Sequence, residues 1–399
     1  MFGLGGDHNK STYGVLIDIG SGSVGVAVVK SDPKQKLPDI IFSHRVFTRI
    51  KSKPEKAEEH MREVREALFS ANLILLKDGI LALREHHPKA HITKILVSCS
   101  SPWAKTISKN VTYSHDNEIK VTASVIQDLI KTAEDEINNH LDEQNNIGSK
   151  GFDVIEKATV NIKINGYTVH HPIGLKGKTL EISHVVGLLP EEILSSIYEI
   201  QDKVFVDTEV TAHSFMLILY CVLRDLYPKN ESLSLINITA EATELGVVKD
   251  GLLLETFYMP HGSNTLIRKI ISNTNETPES ALSLLRLYTD GNMSKEEQAG
   301  VRLVLDNYLT HLSVFLSDIH ERHTIPGELV ITAQPHLEKL LKNEVLKTVS
   351  EITKTKTSVY DLATVFSETR PSGHNSDVFI SLSSRFFHKL HGCGEIDLP

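Results

Sequence analysis

Two short hairpins carry the residue types that can hold an anion. Leu16-Ile17-Asp18-Ile19-Gly20-Ser21-Gly22-Ser23-Val24-Gly25-Val26-Ala27-Val28-Val29-Lys30 recurs 219 residues later as Leu235-Ile236-Asn237-Ile238-Thr239-Ala240-Glu241-Ala242-Thr243-Glu244-Leu245-Gly246-Val247-Val248-Lys249, without a gap. Each copy reads as strand, tight turn, strand. The first strand ends in an oxygen-bearing side chain, Asp18 or Asn237, and small residues in the turn let backbone amides approach an anion. Two such hairpins facing one another can grip a phosphate chain from both sides. For one hairpin alone, a chance match of apolar strands is favoured over common descent by roughly two to one. Fifteen aligned positions with a polar residue at each strand end point to duplication.

The copies are unequal. The first keeps Asp18, Gly20, Gly22 and Gly25, a flexible turn beside a carboxylate able to hold hydrated Mg²⁺, which prefers carboxylate and water oxygens. In the second copy Asn237 replaces the carboxylate and Thr239 the glycine, while Glu241 adds a negative charge where phosphates are expected.

Asp18-Ile19-Gly20-Ser21-Gly22-Ser23 resembles the first phosphate loop of the actin, Hsp70 and sugar-kinase superfamily. Asn237 to Thr243, followed by Asp250-Gly251 and Met259-Pro260-His261-Gly262, resembles the second loop of the bacterial actin-like FtsA and PilM proteins. That loop often runs Asp-Ile-Gly-Ala-Glu-x-Thr; Ile238, Ala240, Glu241 and Thr243 match it, and Asn237 and Thr239 depart. The adenosine-side motif, a strand running into two glycines, corresponds to Leu329-Val330-Ile331-Thr332-Ala333-Gln334-Pro335, with Ala333 and Gln334 at the glycine positions. The resemblance spans about Tyr13 to Leu390, and only the first loop is intact.

The resemblance implies an α/β protein of the actin-like ATPase fold: two duplicated ribonuclease-H-like halves with a small inserted α+β domain, called SHS2 or 1C. It implies ATP and Mg²⁺ between the halves, with Asp18 facing the metal. The nucleotide would touch Gly20, Ser21, Gly22, Ser23, Val24, Asn237, Thr239, Ala240, Glu241, Thr243, Gly262, Ala333 and Gln334. A helix expected over Thr208 to Leu226 would bring Glu209 or Thr211 to the metal water and the attacking water, making Glu209 the catalytic candidate. In the FtsA and PilM group the nucleotide is mainly a clamp, and hydrolysis is slow or absent. The implied role is a cytoplasmic scaffold at the inner face of the cell membrane for a division or type IV pilus machine. Its implied partner is a membrane protein's cytoplasmic tail or a tubulin-like division protein, with self-association into filaments also open. A phosphotransferase of the sugar-kinase or exopolyphosphatase branch is one alternative, disfavoured by Asn237 and by Ala333-Gln334. A pseudo-ATPase scaffold that binds no nucleotide is another.

Along the chain the expected order is a polar lead-in at 1–12, a first half (1A) at 13–100, the inserted domain at 101–203, and the second half (2A) at 204–262. A small subdomain (2B) follows at 263–328, and the chain returns to 2A at 329–399. After three strands a long helix with Met61, Val64, Leu68 and Leu75 inward precedes the strand Ile92 to Ser98.

The 399 residues, 40% of them hydrophobic, suffice for several cores. Three scattered cysteines, Cys99, Cys221 and Cys393, make no disulfide or metal pattern, which suits a reducing compartment. A net charge of −9 without a basic stripe argues against nucleic acid. The longest apolar stretch, Phe215 to Leu223, falls short of the roughly 20 residues that a bilayer needs, so membrane contact is expected to be indirect. The helix from Val378 to Leu390 has two readings. Phe379, Leu382, Phe386 and Leu390 share a face, with Arg385, His388, Lys389 and His391 beside it, which suits either a core helix or an interfacial anchor; the ordinary apolar face favours the core.

Overall fold

The computed structural model describes residues 11–53, 56–144, 151–169, 171–360, 362 and 377–391. Most of the expected lead-in, 1–10, and Cys393 lie outside them; Thr12 already begins the first strand.

The architecture is two sheets of one topology. In the first, β1 (Thr12–Ile19), β2 (Ser23–Ser31), β3 (Asp39–Phe47), β4 (Ile92–Cys99) and β9 (Glu209–Ser214) stand in the order β3-β2-β1-β4-β9. In the second, β10 (Leu233–Ile238), β11 (Thr243–Lys249), β12 (Leu252–Met259), β13 (Glu328–Ala333) and β14 (Ser358–Val359) stand in the order β12-β11-β10-β13-β14. The registers also repeat: Asp18 opposes Gly25 as Asn237 opposes Glu244, and Asp18 lies beside Ser98 as Asn237 lies beside Thr332. The duplication read from fifteen residues is therefore a duplication of whole sheets. The central strands β1 and β10 are apolar because helices cover both their faces.

An inserted sheet, ordered β5-β8-β6-β7, comprises β5 (Lys105–Lys120), β6 (Phe152–Ile164), β7 (Tyr167–Thr168) and β8 (Lys176–Pro190). Helix α3 (Ala123–Gln144) lays Ile126, Leu129 and Ala133 on its Val111, Ile162 and Ile182. Helix α1 (Ala57–Ile74) buries Met61, Val64 and Leu68 against β1 and β2, and α4 (Glu191–Val204) joins the same core through Ile193, Ile197 and Ile200.

One expected helix is divided. Residues 209–214 pair in parallel with β4, and α5 (Phe215–Leu226) begins only after Ser214. Val210 and Thr211 suit a strand, and the open edge of β4 supplies the ladder that a local reading lacks. Helix α5 is apolar all round because its first nine residues are buried between the halves, together with α10 (Val378–His391). Phe379, Leu382, Phe386 and Phe387 are buried in this shared core, so α10 is a core helix. The second sheet's other face is covered by α6 (Ser263–Thr274), α8 (Lys295–Arg322) and α9 (Glu338–Thr353). Among the described residues no helix is long and apolar enough to cross a membrane.

Candidate functional site

The turns that follow β1 and β10 face one another, and they touch. Ser21 Oγ donates to Thr239 Oγ1 at 2.9 Å and accepts from the Glu241 amide at 2.9 Å. The Thr239 hydroxyl stands 3.0 Å from the Ser101 carbonyl and 3.1 Å from that of Ala242, both acceptors for its single proton. Gly22 faces Ala240 so closely that a Cβ on it would lie 2.4 Å from Ala240 Cβ and 2.7 Å from Gln334 Nε2. Further along, Phe47 meets the His336 ring edge-on at 6.1 Å. Burial and then Arg286 push that imidazole down to about 4.

Most amides of the second turn, and the Gly20 amide of the first, which donates to the Ser23 carbonyl, are engaged elsewhere. In the second turn the Thr239 amide donates to the Ala242 carbonyl, the Ala242 amide to Thr239 Oγ1, and the Glu241 amide to Ser21. The first amides of α6 are taken too, Ser263 by the Thr239 carbonyl and Asn264 by that of Ala240. Gly262 is what lets α6 come so near: a Cβ there would lie 2.4–2.5 Å from the backbone of Thr239, Ala240 and Ala242. In the first turn the Gly20 and Ser21 carbonyls are held by the Trp103 indole and His60 Nε2.

The two strand-end side chains are equally engaged. Asp18 is 2% exposed; Oδ2 is 2.7 Å from Arg45 Nη2, and Oδ1 accepts from Ser98 Oγ at 2.5 Å. Burial raises its pKa and outweighs the lowering by Arg45. Burial also works against Arg45's charge, but Asp377 and Asp18 prevail and raise its pKa. Asn237, fully buried, donates to Ser100 Oγ at 3.3 Å and accepts from Thr332 Oγ1 at 3.0 Å. Glu241 is answered rather than repelled: Arg268 grips both its oxygens and Asn264 donates to Oε1 at 2.7 Å. Glu244, beside Asn237 in register, is 4% exposed and its pKa is pushed up to about 7 by burial, against hydrogen bonds from Ser101.

Asp18, Gly20 to Val24, Asn237, Thr239 to Glu241, Thr243, Gly262, Ala333 and Gln334 thus gather at the facing ends of the two sheets. Ser23 Oγ accepts from Arg45 at 2.9 Å, Thr243 Oγ1 donates to the His261 carbonyl at 2.8 Å, and Val24 and Ala333 are core residues. Glu209 does not join them. It begins β9, roughly 17 Å from the Ser214 end at the usual strand rise, and pairs with Lys94. At the near end stand His213 and Ser214, both bound to Glu156 of the inserted sheet at 2.7 and 2.6 Å.

Mg²⁺ and a nucleotide do not fit these residues. Asp18 already shares its charge with a guanidinium, Asn237 is neutral with both ends bonded, and a phosphate cannot enter between turns in van der Waals contact. Among the described residues no group of three His, Cys, Asp or Glu could hold a metal. Sequence reasoning missed Arg45, Asp377, Ser98, Ser101 and Arg268; each becomes a partner only through strand pairing or helix docking, and Gly25 opposite Arg45 was the one local hint. Next to the touching turns a cleft of about 870 Å³ opens between the start of α1, the ends of the inserted sheet and α6, lined by Met61, Trp103, Phe152, Tyr258 and Arg268.

Two repeated sheets with turns facing across a central helix define the class: this is the actin-like ATPase fold. No family model and no curated protein matches the sequence. Among solved structures, the chain is similar to one described as a PilM-PilN type IV pilus biogenesis complex, with 12% identity, 95% of this chain and 97% of that one covered, and a TM-score of 0.57. A Bacteroides thetaiotaomicron protein described as having an actin-like ATPase fold is 9% identical over 94% of this chain and 96% of its own, with a TM-score of 0.47. A hydroxyglutaryl-CoA dehydratase component of Acidaminococcus fermentans is 9% identical over 95% and 99%, at 0.39.

Proposed function

We propose that this chain is a docking scaffold of the actin-like fold whose halves are closed by direct contact between the two turns instead of by a nucleotide. The observation that carries the reading is the three-residue clasp of Ser21, Thr239 and Glu241. It lies between the two turns that the resemblance assigns to the phosphate chain, and it takes up the Glu241 amide. The catalytic candidate of the sequence, Glu209, stands at the far end of its strand from the turns and pairs with Lys94. The likeness to a pilus complex supports a partner of the same sort, the cytoplasmic tail of a membrane protein. The cleft beside the clasp has the size of a site for a short segment and pairs aromatic walls with a charged rim, the usual make-up of a binding site.

Calorimetry and thermal melts with ATP or ADP, with Mg²⁺ and with EDTA, test the clasp. The expected result is no heat of binding and no change in Tm. Saturable Mg²⁺-nucleotide binding at micromolar concentration refutes it. A photo-crosslinker placed at the half-exposed Tyr258 is expected to capture a membrane protein's tail in cells; capture of soluble proteins alone refutes the docking role.

A further inference from the structure

Across β1, β2 and β3 the residues Asp18, Gly25 and Arg45 stand in one row. Gly25 leaves the space in which Arg45 lies, since a Cβ there would sit 2.7 Å from Arg45 Nη2. From that position the guanidinium reaches three oxygens: Asp18 Oδ2 at 2.7 Å, Ser23 Oγ at 2.9 Å and Asp377 Oδ2 at 2.6 Å. Asp377 in turn caps α10, its Oδ1 accepting from the Phe379 and Ile380 amides at 3.0 and 3.3 Å. The Phe379 ring lies 5.3 Å from the guanidinium carbon. The Arg45, Asp18 and Asp377 side chains are only 10, 2 and 15% exposed.

We propose that Arg45 is a built-in cation, standing where this fold would otherwise place a divalent metal at the first turn, and that it ties that turn to the last helix. Two buried carboxylates on one wall require positive charge. A planar guanidinium satisfies both at once and cannot dissociate, whereas a metal comes and goes with its ligand. While Arg45 is present, an arriving cation meets like charge and an Asp18 whose oxygens are both bonded. If the guanidinium is removed, the two carboxylates and the Ser23 hydroxyl that it held face one vacated space, a hard oxygen set of the kind that Mg²⁺ and Mn²⁺ accept. This deepens the clasp reading and rests on it, yet the two fail separately: nucleotide titration tests the turns, and Mn²⁺ titration without nucleotide tests Asp18.

The test compares the wild-type chain, Arg45→Ala, Arg45→Lys and Arg45→Ala with Asp18→Asn, using Mn²⁺ binding by electron paramagnetic resonance and melts with Mn²⁺ or EDTA. The wild type is expected to bind no Mn²⁺ through Asp18. Arg45→Ala is expected to melt lower in EDTA and to bind one Mn²⁺ at least about tenfold tighter, a gain of roughly 1.4 kcal/mol. Mn²⁺ should raise its Tm, and Asp18→Asn should abolish both effects. Arg45→Lys, still cationic, should take up none. A folded Arg45→Ala without Mn²⁺ uptake, or an Arg45→Lys that binds it, overturns the proposal. If Arg45→Ala is insoluble even when refolded with Mn²⁺, the wild type decides: Mn²⁺ binding lost in Asp18→Asn overturns the built-in cation, and its absence upholds it.

Discussion

Gly22→Ala should loosen the clasp by steric force alone. Its new methyl would lie 2.4 Å from Ala240 Cβ, whereas carbons rest at about 3.5–4.0 Å, so the turns must part by about an ångström or more. The Gln334 amide, 2.7 Å away, is the end of a flexible side chain and can swing aside. Ala240 cannot, because it is 1% exposed and its carbonyl accepts the Asn264 amide at 2.8 Å. Overpacking of this sort costs about 1–3 kcal/mol. Parting the turns also stretches the two bonds made by Ser21 Oγ, worth about 0.5–1.5 kcal/mol each, which brings the expected loss to about 2–6 kcal/mol. The single tryptophan is a local reporter, since Trp103 Nε1 donates to the Gly20 carbonyl at 3.2 Å. Urea unfolding followed by its fluorescence should show the lowered midpoint, and the double variant Gly22→Ala with Ala240→Gly should recover most of it. A loss below about 0.5 kcal/mol, the range of a neutral surface change, would refute contact between the turns.

Glu244 gives a pH prediction. Its carboxyl is pushed up to about 7 in the folded chain from its ordinary value of 4.5, so the folded state holds the proton more tightly. This contribution to stability is therefore greatest in acid and is lost as pH rises from about 4.5 to about 7, by up to roughly 3 kcal/mol. Denaturation at pH 5 and pH 8 should show wild-type stability falling relative to Glu244→Gln, and parallel curves for the two proteins would sink the assignment. Phe386→Ala removes a ring buried in the shared core and should cost about 3–5 kcal/mol, read by thermal melt. With α10 in the core, the intact chain should stay in the supernatant with anionic vesicles; pelleting would restore the anchor reading of that helix.

Short-range patterns carry the features that are legible in the sequence. The two hairpins declare themselves through apolar strands closed by small turns, and their matched polar ends mark the duplication that the two sheets repeat. Phe379, Leu382 and Phe386 lie on one face at helical spacing, and that face does meet the core. The misplacement of Glu209 has a physical origin: Val210 and Thr211 suit a strand, but the partner that makes 209–214 one is the edge of β4, more than a hundred residues earlier.

The candidate site divides in the same way. Asp18, Gly22, Asn237 and Glu241 identify themselves by type and spacing, because strand ends and turns place such residues within a few bonds of one another. Whether those groups are free to meet a ligand is a long-range matter. Arg45 reaches Asp18 only across Gly25, Ser21 finds Thr239 only when the halves close, and Arg268 neutralises Glu241 only from a docked helix. Chain order thus announces two turns of the kind that can meet an anion, whereas the tertiary structure decides that their charges are answered within each half and that Ser21 bonds Thr239 and Glu241 across the halves.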